Sequence, residues 1–280
     1  MRNIISVLAF SGLALLLSSC SNTKYIPAND ALYTGAKVKL EAPEISRKKR
    51  KLLKASLEGM TRPRPNSSIL GLRPKLWFYN IAGNPKKKNS PAALLKKMGE
   101  PPVLLSDVSL DHNVSVLQNA LENQGFFRAT VSGDTTVKNK RASATYTAVA
   151  GPQYTINEVV YEADSSDLQK AILRTARRRS LLKPEDPFNL DVIKGERTRI
   201  DTRLKERGFY FFNPEYLLVD ADTTIGGNKV NLYVNTKKET PAIARRTYTI
   251  RNVYVYPNYS LSTTDSDTNK QMPVSTAAII

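Results

Sequence analysis

Apolar and polar positions run through the same order of helix and strand patterns twice along this chain. In the first copy, an amphipathic helix with apolar residues at steps of four, three and four ends at Gly125. Two strand-like runs follow, and Tyr154 opens a further strand. The second copy repeats this order from Gly208 to Tyr248, so the glycines lie 83 positions apart and the tyrosines 94. This period is too long for a solenoid. It predicts a string of small domains, which is typical of proteins that bind and position other chains.

Each copy is predicted to contain strand, helix, helix, strand and strand in that order. Two helices would then cover one face of a small mixed sheet, which is an α+β arrangement. The hydrophobic pattern places the opening strand of the first copy at residues 36–40 and its first helix at residues 45–60. One edge of each sheet should stay exposed, and such an edge can accept an added strand from a partner.

The connections between these elements are less regular. Residues 61–105 are predicted to be irregular, because seven prolines interrupt them. The helix that follows is expected to be capped by Ser106 or Asp107. The aromatic residues after each helix-ending glycine are predicted to start strands, from Phe126 in the first copy and from Phe209 in the second. A strand at residues 248–256 would open a third copy that the chain does not complete, so we expect the chain to be incomplete at its C-terminus.

The N-terminus has the pattern of an export signal. An apolar stretch of 14 residues, too short to span a bilayer, follows Arg2. It ends in Leu17-Ser18-Ser19-Cys20, which matches the cleavage and lipidation pattern of bacterial lipoproteins. We expect residues 1–19 to be removed and Cys20, the only cysteine, to carry acyl chains such as palmitate, followed by a linker at residues 20–34. The alternative is a plain signal peptide that happens to end near a cysteine.

Positive charge is concentrated in one part of the chain. The formal net charge is +17, and residues 47–97 contain fifteen Lys or Arg against one acid, Glu58. Because an exported lipoprotein rarely meets nucleic acid, anionic lipid or an acidic protein surface is the better candidate partner; the alternative is a solvated surface. The aromatic and basic segment at residues 69–79 suits a membrane interface or a docking surface, unless it packs on its own sheet. The candidate binding residues are Arg47, Lys48, Lys49, Arg50, Lys51, Arg73, Lys75, Lys86, Lys87 and Lys88.

Residues that carry covalent chemistry are scarce. His112 is the only histidine, and it falls on a predicted helix among polar neighbours. The sequence has no zinc-ligand spacing and no phosphate-binding glycine loop. The pairs Asp220/Asp222 and Asp265/Asp267 can hold Ca²⁺ weakly, but aspartate in a turn needs no metal to explain it. We therefore expect a protein without enzymatic activity, metal or cofactor.

Several longer strings resemble a known family. The helix–Gly–Phe junction and the Gly-Pro-Gln-Tyr string at residues 151–154 are similar to POTRA domains, the periplasmic modules of outer-membrane assembly proteins. Residues 20–27, 32–38, 71–74 and 99–107 resemble the TamL-like lipoproteins of the Omp85 superfamily, which includes BamA and TamA. The resemblance implies tandem POTRA-like domains. The first would lie at residues 35–150 with the basic insertion at 61–105, the second at 151–237, and the start of a third at 246–280.

The resemblance also implies a function. A protein of this family would be held at the outer membrane by its lipid, with its domains in the periplasm. It would bind unfolded outer-membrane proteins, hand them over, and dock to a TamB-like periplasmic protein. The alternative reading is a lipid-anchored periplasmic module whose basic face holds anionic lipid or envelope polyanions.

Overall fold

The computed structural model describes residues 23–162 and 164–253 of the 280. By their internal packing the described residues form two compact units: residues 23–159, 182–192 and 221–232 in one, and residues 160–162, 164–181, 193–220 and 233–253 in the other. The helices are α1 (Arg47–Met60), α2 (Pro74–Ala82), α3 (Pro91–Met98), α4 (Leu110–Glu122), α5 (Asp167–Ala176) and α6 (Leu190–Lys205). The strands are β1 (Leu32–Glu41), β2 (Thr130–Lys138), β3 (Arg141–Val149), β4 (Thr155–Tyr161), β5 (Leu217–Asp222) and β6 (Lys229–Thr236).

The first sheet is a small mixed sheet with the order β1-β3-β2. Strand β1 pairs with β3 in parallel, with an irregular register between Tyr33 and Ala36. Strand β2 pairs with β3 in antiparallel fashion along its whole length. Parallel neighbours cannot be joined by a tight turn. The chain between β1 and β2 therefore supplies α1 and α4, and both helices contact the sheet.

The core of this unit follows from the alternation of side chains along β3. Alternate residues of that strand are buried, and the largest of them is Tyr146. Leu53 and Leu57 of α1 and Leu117 and Leu121 of α4 are also buried, and they join the same cluster. Each fully buried leucine contributes roughly 1.5–3 kcal/mol relative to an exposed one. The side of α1 that carries Leu53 and Leu57 and the side of α4 that carries Leu117 and Leu121 thus face the sheet.

The second sheet has the order β4-β6-β5. As in the first sheet, the strand that comes last in sequence lies in the centre, between the other two. Helices α5 and α6 lie between β4 and β5 in sequence, as α1 and α4 lie between β1 and β2. The α+β class and the order strand, helix, helix, strand, strand are therefore confirmed. The domain boundaries given above stay a prediction.

The glycine that ends each copy's last helix makes the same cap twice. Gly125 has a φ of +85° and Gly208 a φ of +92°, a region that glycine enters without steric cost. The N–H of Phe126 donates to the carbonyl of Leu121, and that of Phe209 donates to Leu204, both at 3.1 Å. This is the Schellman pattern. It corrects the prediction that these aromatic residues start strands, because their backbone turns back onto the helix, and β2 and β5 begin later.

The tyrosine that opens the next copy is also placed in the same way twice. The N–H of Tyr154 donates to the carbonyl of Gly125 at 2.9 Å, and that of Tyr248 donates to Gly208 at 2.7 Å. The repeat seen in the sequence is therefore a repeat of backbone contacts. The strand predicted at residues 248–256 is not found over residues 248–253, and its remainder lies outside the described residues.

The predicted irregular segment contains two helices, α2 and α3, and this is a second correction. Pro74 and Pro91 are the first residues of these helices, a position where the missing N–H has no intrahelical partner to lose. Ser90 caps α3 by accepting a hydrogen bond from the N–H of Ala93. A third correction concerns α4, whose cap is Ser109. Ser106 and Asp107 lie in a short 3₁₀ turn before it.

Two buried asparagines hold this insertion to the rest of the unit. Asn113 of α4 donates to the carbonyl of Arg62 at 2.6 Å and to the hydroxyl of Tyr146 at 2.9 Å, and it accepts from the N–H of Arg62 at 2.8 Å. Asn66 donates to the carbonyl of Pro101 at 2.7 Å and accepts from the N–H of Val103 at 3.0 Å. Both ends of the insertion are therefore fixed by side chains that the solvent does not reach.

Candidate functional site

Strand β2 forms one edge of the first sheet, and the turn after it decides which backbone groups face outwards. Asn139 and Lys140 have φ values of 51° and 56°, as in a two-residue type I′ turn. Lys138 and Arg141, which flank the turn, then form a hydrogen-bonded pair. Because such pairs alternate with non-bonded ones, the groups that face away from β3 belong to every second residue. These residues are Val131, Gly133, Thr135 and Val137.

One contact supports this assignment directly. The N–H of Thr135 donates to the carboxylate of the preceding residue, Asp134, at 2.7 Å. A donor engaged in the β2–β3 ladder would point to the neighbouring strand instead. Across residues 23–162 and 164–253, β2 has β3 as its strand partner and no other. The outward donors and acceptors of this nine-residue strand are therefore open to a further strand.

The opposite edge of the same sheet, β1, is covered. The N–H of Tyr33 donates to the carbonyl of Val103, and the N–H of Leu105 donates to Ala31, both at 2.9 Å. Further along the strand, the N–H of Val38 donates to the carboxylate of Glu58 from α1 at 3.1 Å. Exposed edges invite unwanted pairing unless they are blocked. The first strand is thus blocked by its own chain, whereas β2 is left open.

The second copy covers its first strand in a related way. The N–H of Ile156 in β4 donates to the carbonyl of Asp186 at 2.9 Å, and the N–H of Glu185 donates back to Ile156 at 2.8 Å. Residues 185–186 precede α6 as residues 103–105 precede α4. The outer strand of that sheet is β5, which has six residues against nine for β2. The longer open edge is therefore β2.

The inner face of β2 is held tightly. A Cβ atom built on Gly133 would lie 3.0 Å from the ring of Tyr146 and 3.2 Å from a methyl group of Val114. Glycine at this position lets α4 approach the strand closely. Strand β2 is therefore fixed from the core side, and its outer edge is presented on a rigid support.

A polar pocket of about 750 Å³ lies at the turn end of this sheet. Arg73, Lys138 and Arg141 all contribute to its walls, together with hydroxyl groups such as those of Ser68 and Thr136. No acidic residue lines it within the described ranges. Burial and the nearby charge of Arg141 lower the pKa of Arg73 below its ordinary value. The Nε atom of Arg73 is buried without a hydrogen-bond partner, so the pocket has a strong positive charge that the protein itself does not neutralise.

Glu100 fixes the loop that closes this pocket. Its carboxylate accepts from the N–H of Ser67 at 3.0 Å and from the hydroxyl of Ser67 at 2.7 Å, and it pairs with Lys75 at 3.0 Å. The hydrogen bonds from Ser67 and then that from Lys75 lower the pKa of Glu100 to about 2. The acid therefore stays charged and keeps residues 67–75 in place at any pH near neutrality.

The other residues predicted as a basic binding surface do not meet at one place. Arg47, Lys48 and Lys51 are exposed on α1. Lys49 donates to the side chain of Gln153 at 2.7 Å, and Arg50 donates to the carbonyl of Ile45 at 3.3 Å. Separately, Lys86, Lys87 and Lys88 are exposed between α2 and α3.

Arg73 is the one predicted residue that lines the pocket, and sequence reasoning missed Lys138 and Arg141. Lys138 and Arg141 could have been found from the sequence, because they flank the Asn139-Lys140 turn and therefore lie side by side at the end of the hairpin. Cys20 lies outside the described residues. Ligand binding by the predicted basic residues stays a prediction.

The residues considered for metal or catalytic chemistry have ordinary surroundings. His112 is exposed on α4, and its N–H donates to the cap residue Ser109. The carboxylate of Asp222 accepts from the N–H and the hydroxyl of Thr224, as expected for a turn. Groups of three or more residues able to hold a metal are not found within residues 23–162 and 164–253. Asp265 and Asp267 lie outside those ranges.

No family model matches the chain, and no curated protein matches it. Among solved structures, POTRA domains 3–5 of BamA from Haemophilus influenzae are 14% identical, with a TM-score of 0.35, over 75% of this chain and 61% of that one. POTRA domains 1–2 of the periplasmic domain of Omp85 from Anabaena are 12% identical, with a TM-score of 0.33, over 74% and 96%. CdiB from Acinetobacter baumannii is 11% identical, with a TM-score of 0.26, over 84% and 38%.

The chain thus spans about three fifths of the BamA structure it is similar to. At these identities the likeness concerns the fold, and the fold described here rests on the chain's own strand order. None of the described helices has the length and apolar character needed to cross a membrane.

Proposed function

We propose that this chain is the periplasmic part of a lipid-anchored outer-membrane assembly factor that receives segments of unfolded outer-membrane proteins by strand addition to β2. The observation that carries the proposal is the open edge of β2 beside the blocked edge of β1. An extended segment of a partner pairs with such an edge through its main chain, so it is accepted largely regardless of its sequence. That property suits a protein that must receive many different clients.

The size of the open edge fits this role. Its four outward residues offer one donor and one acceptor each, or up to eight hydrogen bonds. A backbone hydrogen bond contributes about 1 kcal/mol net, and ordering the client's backbone opposes that gain with 1–2 kcal/mol per residue. The interaction is therefore weak and reversible, as a handover step requires. Asp134 occupies one of the donors in the free protein.

The anchor and the second partner complete the proposal. Acyl chains on Cys20 would hold the chain at the outer membrane, since two or more chains give stable anchoring. Docking to a TamB-like periplasmic protein follows from the family resemblance of the sequence. No catalysed reaction is part of this function.

Removing one outward donor tests the edge. Thr135→Pro deletes an N–H that faces away from β3, and an edge strand tolerates proline at such a position. The matched control Thr135→Ala keeps that N–H and removes only the hydroxyl group. A photo-crosslinker at Val137, which is 53% exposed, should capture outer-membrane proteins in cells. The yield should fall at least about fivefold with Thr135→Pro, because one lost bond is worth about 1 kcal/mol and the ring also obstructs the incoming strand.

The same experiment can contradict the proposal. Circular dichroism should show that both variants keep their secondary structure. Equal capture by Thr135→Pro and Thr135→Ala would exclude strand addition at β2. A crosslinker at Lys48 on α1 should not capture these clients, and recovery of a TamB-like protein from any exposed position would support the second partner.

A further inference from the structure

A two-residue turn beside the polar pocket exposes an apolar side chain completely. Ile69 and Leu72 exchange two backbone hydrogen bonds of 2.9 Å around Leu70 and Gly71. Leu70 has a φ of 50° and is 99% exposed. A leucine in this left-handed conformation is sterically strained, and asparagine or glycine is the usual residue there. Neither packing nor backbone geometry within this unit explains why a leucine stands at the tip.

Further exposed apolar side chains belong to the same stretch of chain. Ile69 is 66% exposed, and Leu72, Trp77 and Ile81 are each at least 40% exposed. Trp77 and Ile81 belong to α2, which begins directly after Arg73. An apolar tip and an uncompensated basic pocket therefore share the segment that starts at Ser68. A ligand that combines an anionic head with an apolar body matches both features.

We propose that the pocket formed by Arg73, Lys138 and Arg141 binds the phosphate of an anionic phospholipid, while the Leu70 turn inserts between the acyl chains. The hydroxyl groups of the pocket supply hydrogen bonds to the phosphate oxygens, and the arginines supply charge in a planar donor geometry. A volume of about 750 Å³ accommodates a phospholipid headgroup.

A free phosphate compound shares the charged half of this chemistry. The exposed apolar residues at the pocket's rim favour the lipid, because a free anion would leave them in water. The inference is independent of strand addition at β2. It rests on the proposed function only in assuming that the lipid anchor keeps a membrane nearby.

The chain's single tryptophan makes the test specific. Trp77 lies on α2 one turn after Arg73, and its N–H donates to the carbonyl of Arg73 at 3.0 Å. Its emission therefore reports docking of this segment even when the N-terminus is already attached to the vesicle. The full-length protein is reconstituted on phosphatidylcholine vesicles with and without phosphatidylglycerol. With phosphatidylglycerol, Trp77 emission should shift to the blue and be quenched by brominated acyl chains. With phosphatidylcholine alone, both changes should be absent.

Point variants separate the pocket from general attraction. Arg73→Gln and Arg141→Gln should each weaken docking about fivefold, as expected for loss of one cation near an anionic surface. Leu70→Ser should weaken it about tenfold, because a buried leucine side chain is lost. The control Lys87→Gln removes the same charge from the exposed turn and should leave Trp77 emission unchanged. Far-UV circular dichroism checks that each variant is folded.

The outcomes that overturn the inference are distinct. Absence of a Trp77 change on phosphatidylglycerol vesicles refutes it, as does an equal loss with Lys87→Gln, which would indicate unspecific attraction. Binding of inorganic pyrophosphate without vesicle docking would assign the pocket to a free anion instead. Thr135→Pro should dock normally, and Arg73→Gln should still yield client crosslinks at Val137, so failure of one proposal leaves the other standing.

Discussion

Replacing Asn113 by alanine should destabilise the first unit by about 3 kcal/mol. The side chain is 1% exposed and takes part in three hydrogen bonds, two to the backbone of Arg62 and one to the hydroxyl of Tyr146. Each lost bond costs about 1 kcal/mol. The tyrosine hydroxyl is the most costly group to leave unpaired, because Tyr146 is fully buried.

Urea unfolding followed by Trp77 fluorescence measures this effect. Trp77 is the only tryptophan and belongs to the first unit, so the signal reports that unit. The midpoint should fall while the slope stays constant, as for a change in stability alone. The control is Ser115→Ala on the same helix, whose exposed hydroxyl bonds only to the carbonyl of Asp111. It should change the free energy of unfolding by less than about 0.5 kcal/mol.

Two results would refute this reasoning. A loss below about 1 kcal/mol for Asn113→Ala would mean that water replaces the three bonds at little cost. A loss for Ser115→Ala as large as that for Asn113→Ala would mean that the buried bonds of Asn113 do not decide the effect, since helix propensity alone favours alanine at both positions. Either result would remove Asn113 as the attachment point between the insertion and α4.

Two further predictions concern acidic residues. The carboxylate of Glu196 is 2% exposed and pairs with Arg199 at 2.7 Å, so Glu196→Gln should cost about 3 kcal/mol in thermal or urea unfolding. Burial raises the pKa of Glu196, but hydrogen bonds from Arg199, the N–H of Leu181 and Ser180 outweigh burial and hold the pKa below its ordinary value. Stability from this group is therefore present above the unfolded-state pKa and lost as pH falls through the folded-state pKa; a wild-type acid dependence equal to that of Glu196→Gln would contradict this. Asp134→Ala should strengthen strand addition a few-fold by freeing the N–H of Thr135, and weaker client crosslinking would show that the carboxylate helps the client instead.

The regular elements could be predicted because their signals are local. Helix α1 was expected at residues 45–60 and lies at Arg47–Met60, since its apolar stripe has helical spacing. Proline misled the prediction for α2 and α3, because a proline that breaks a helix and one that begins it look alike without knowledge of the caps. The strands expected at Phe126 and Phe209 failed for a similar reason. In a Schellman cap the residue after the glycine still bonds back to the helix. The strand therefore begins later than the hydrophobic pattern predicts.

The candidate sites depend on contacts that are distant in sequence. Local density of Lys and Arg selected the segment from Arg47 to Lys51, which the structure places at the start of α1, where Lys49 and Arg50 bond to other parts of the chain. The pocket instead combines Arg73 with Lys138 and Arg141, which the fold brings together. The open edge could be expected in principle, but only the contacts from Glu58 and residues 103–105 show which edge is blocked.

The closed base of the insertion has a consequence for how this chain can change. Ser67 and Glu100 bind each other, and Asn66 binds Pro101 and Val103, so the segment leaves and rejoins the domain at one point. The entropy of closing such a segment grows slowly, by about 0.6 kcal/mol for each doubling of its length. The exposed parts of residues 68–99 can therefore change in length or sequence while β1 and α4 keep their positions, provided that Leu76 stays buried against Ile26 and Leu32. Selection can then act on the exposed surface of the insertion separately from the sheet that carries the open edge.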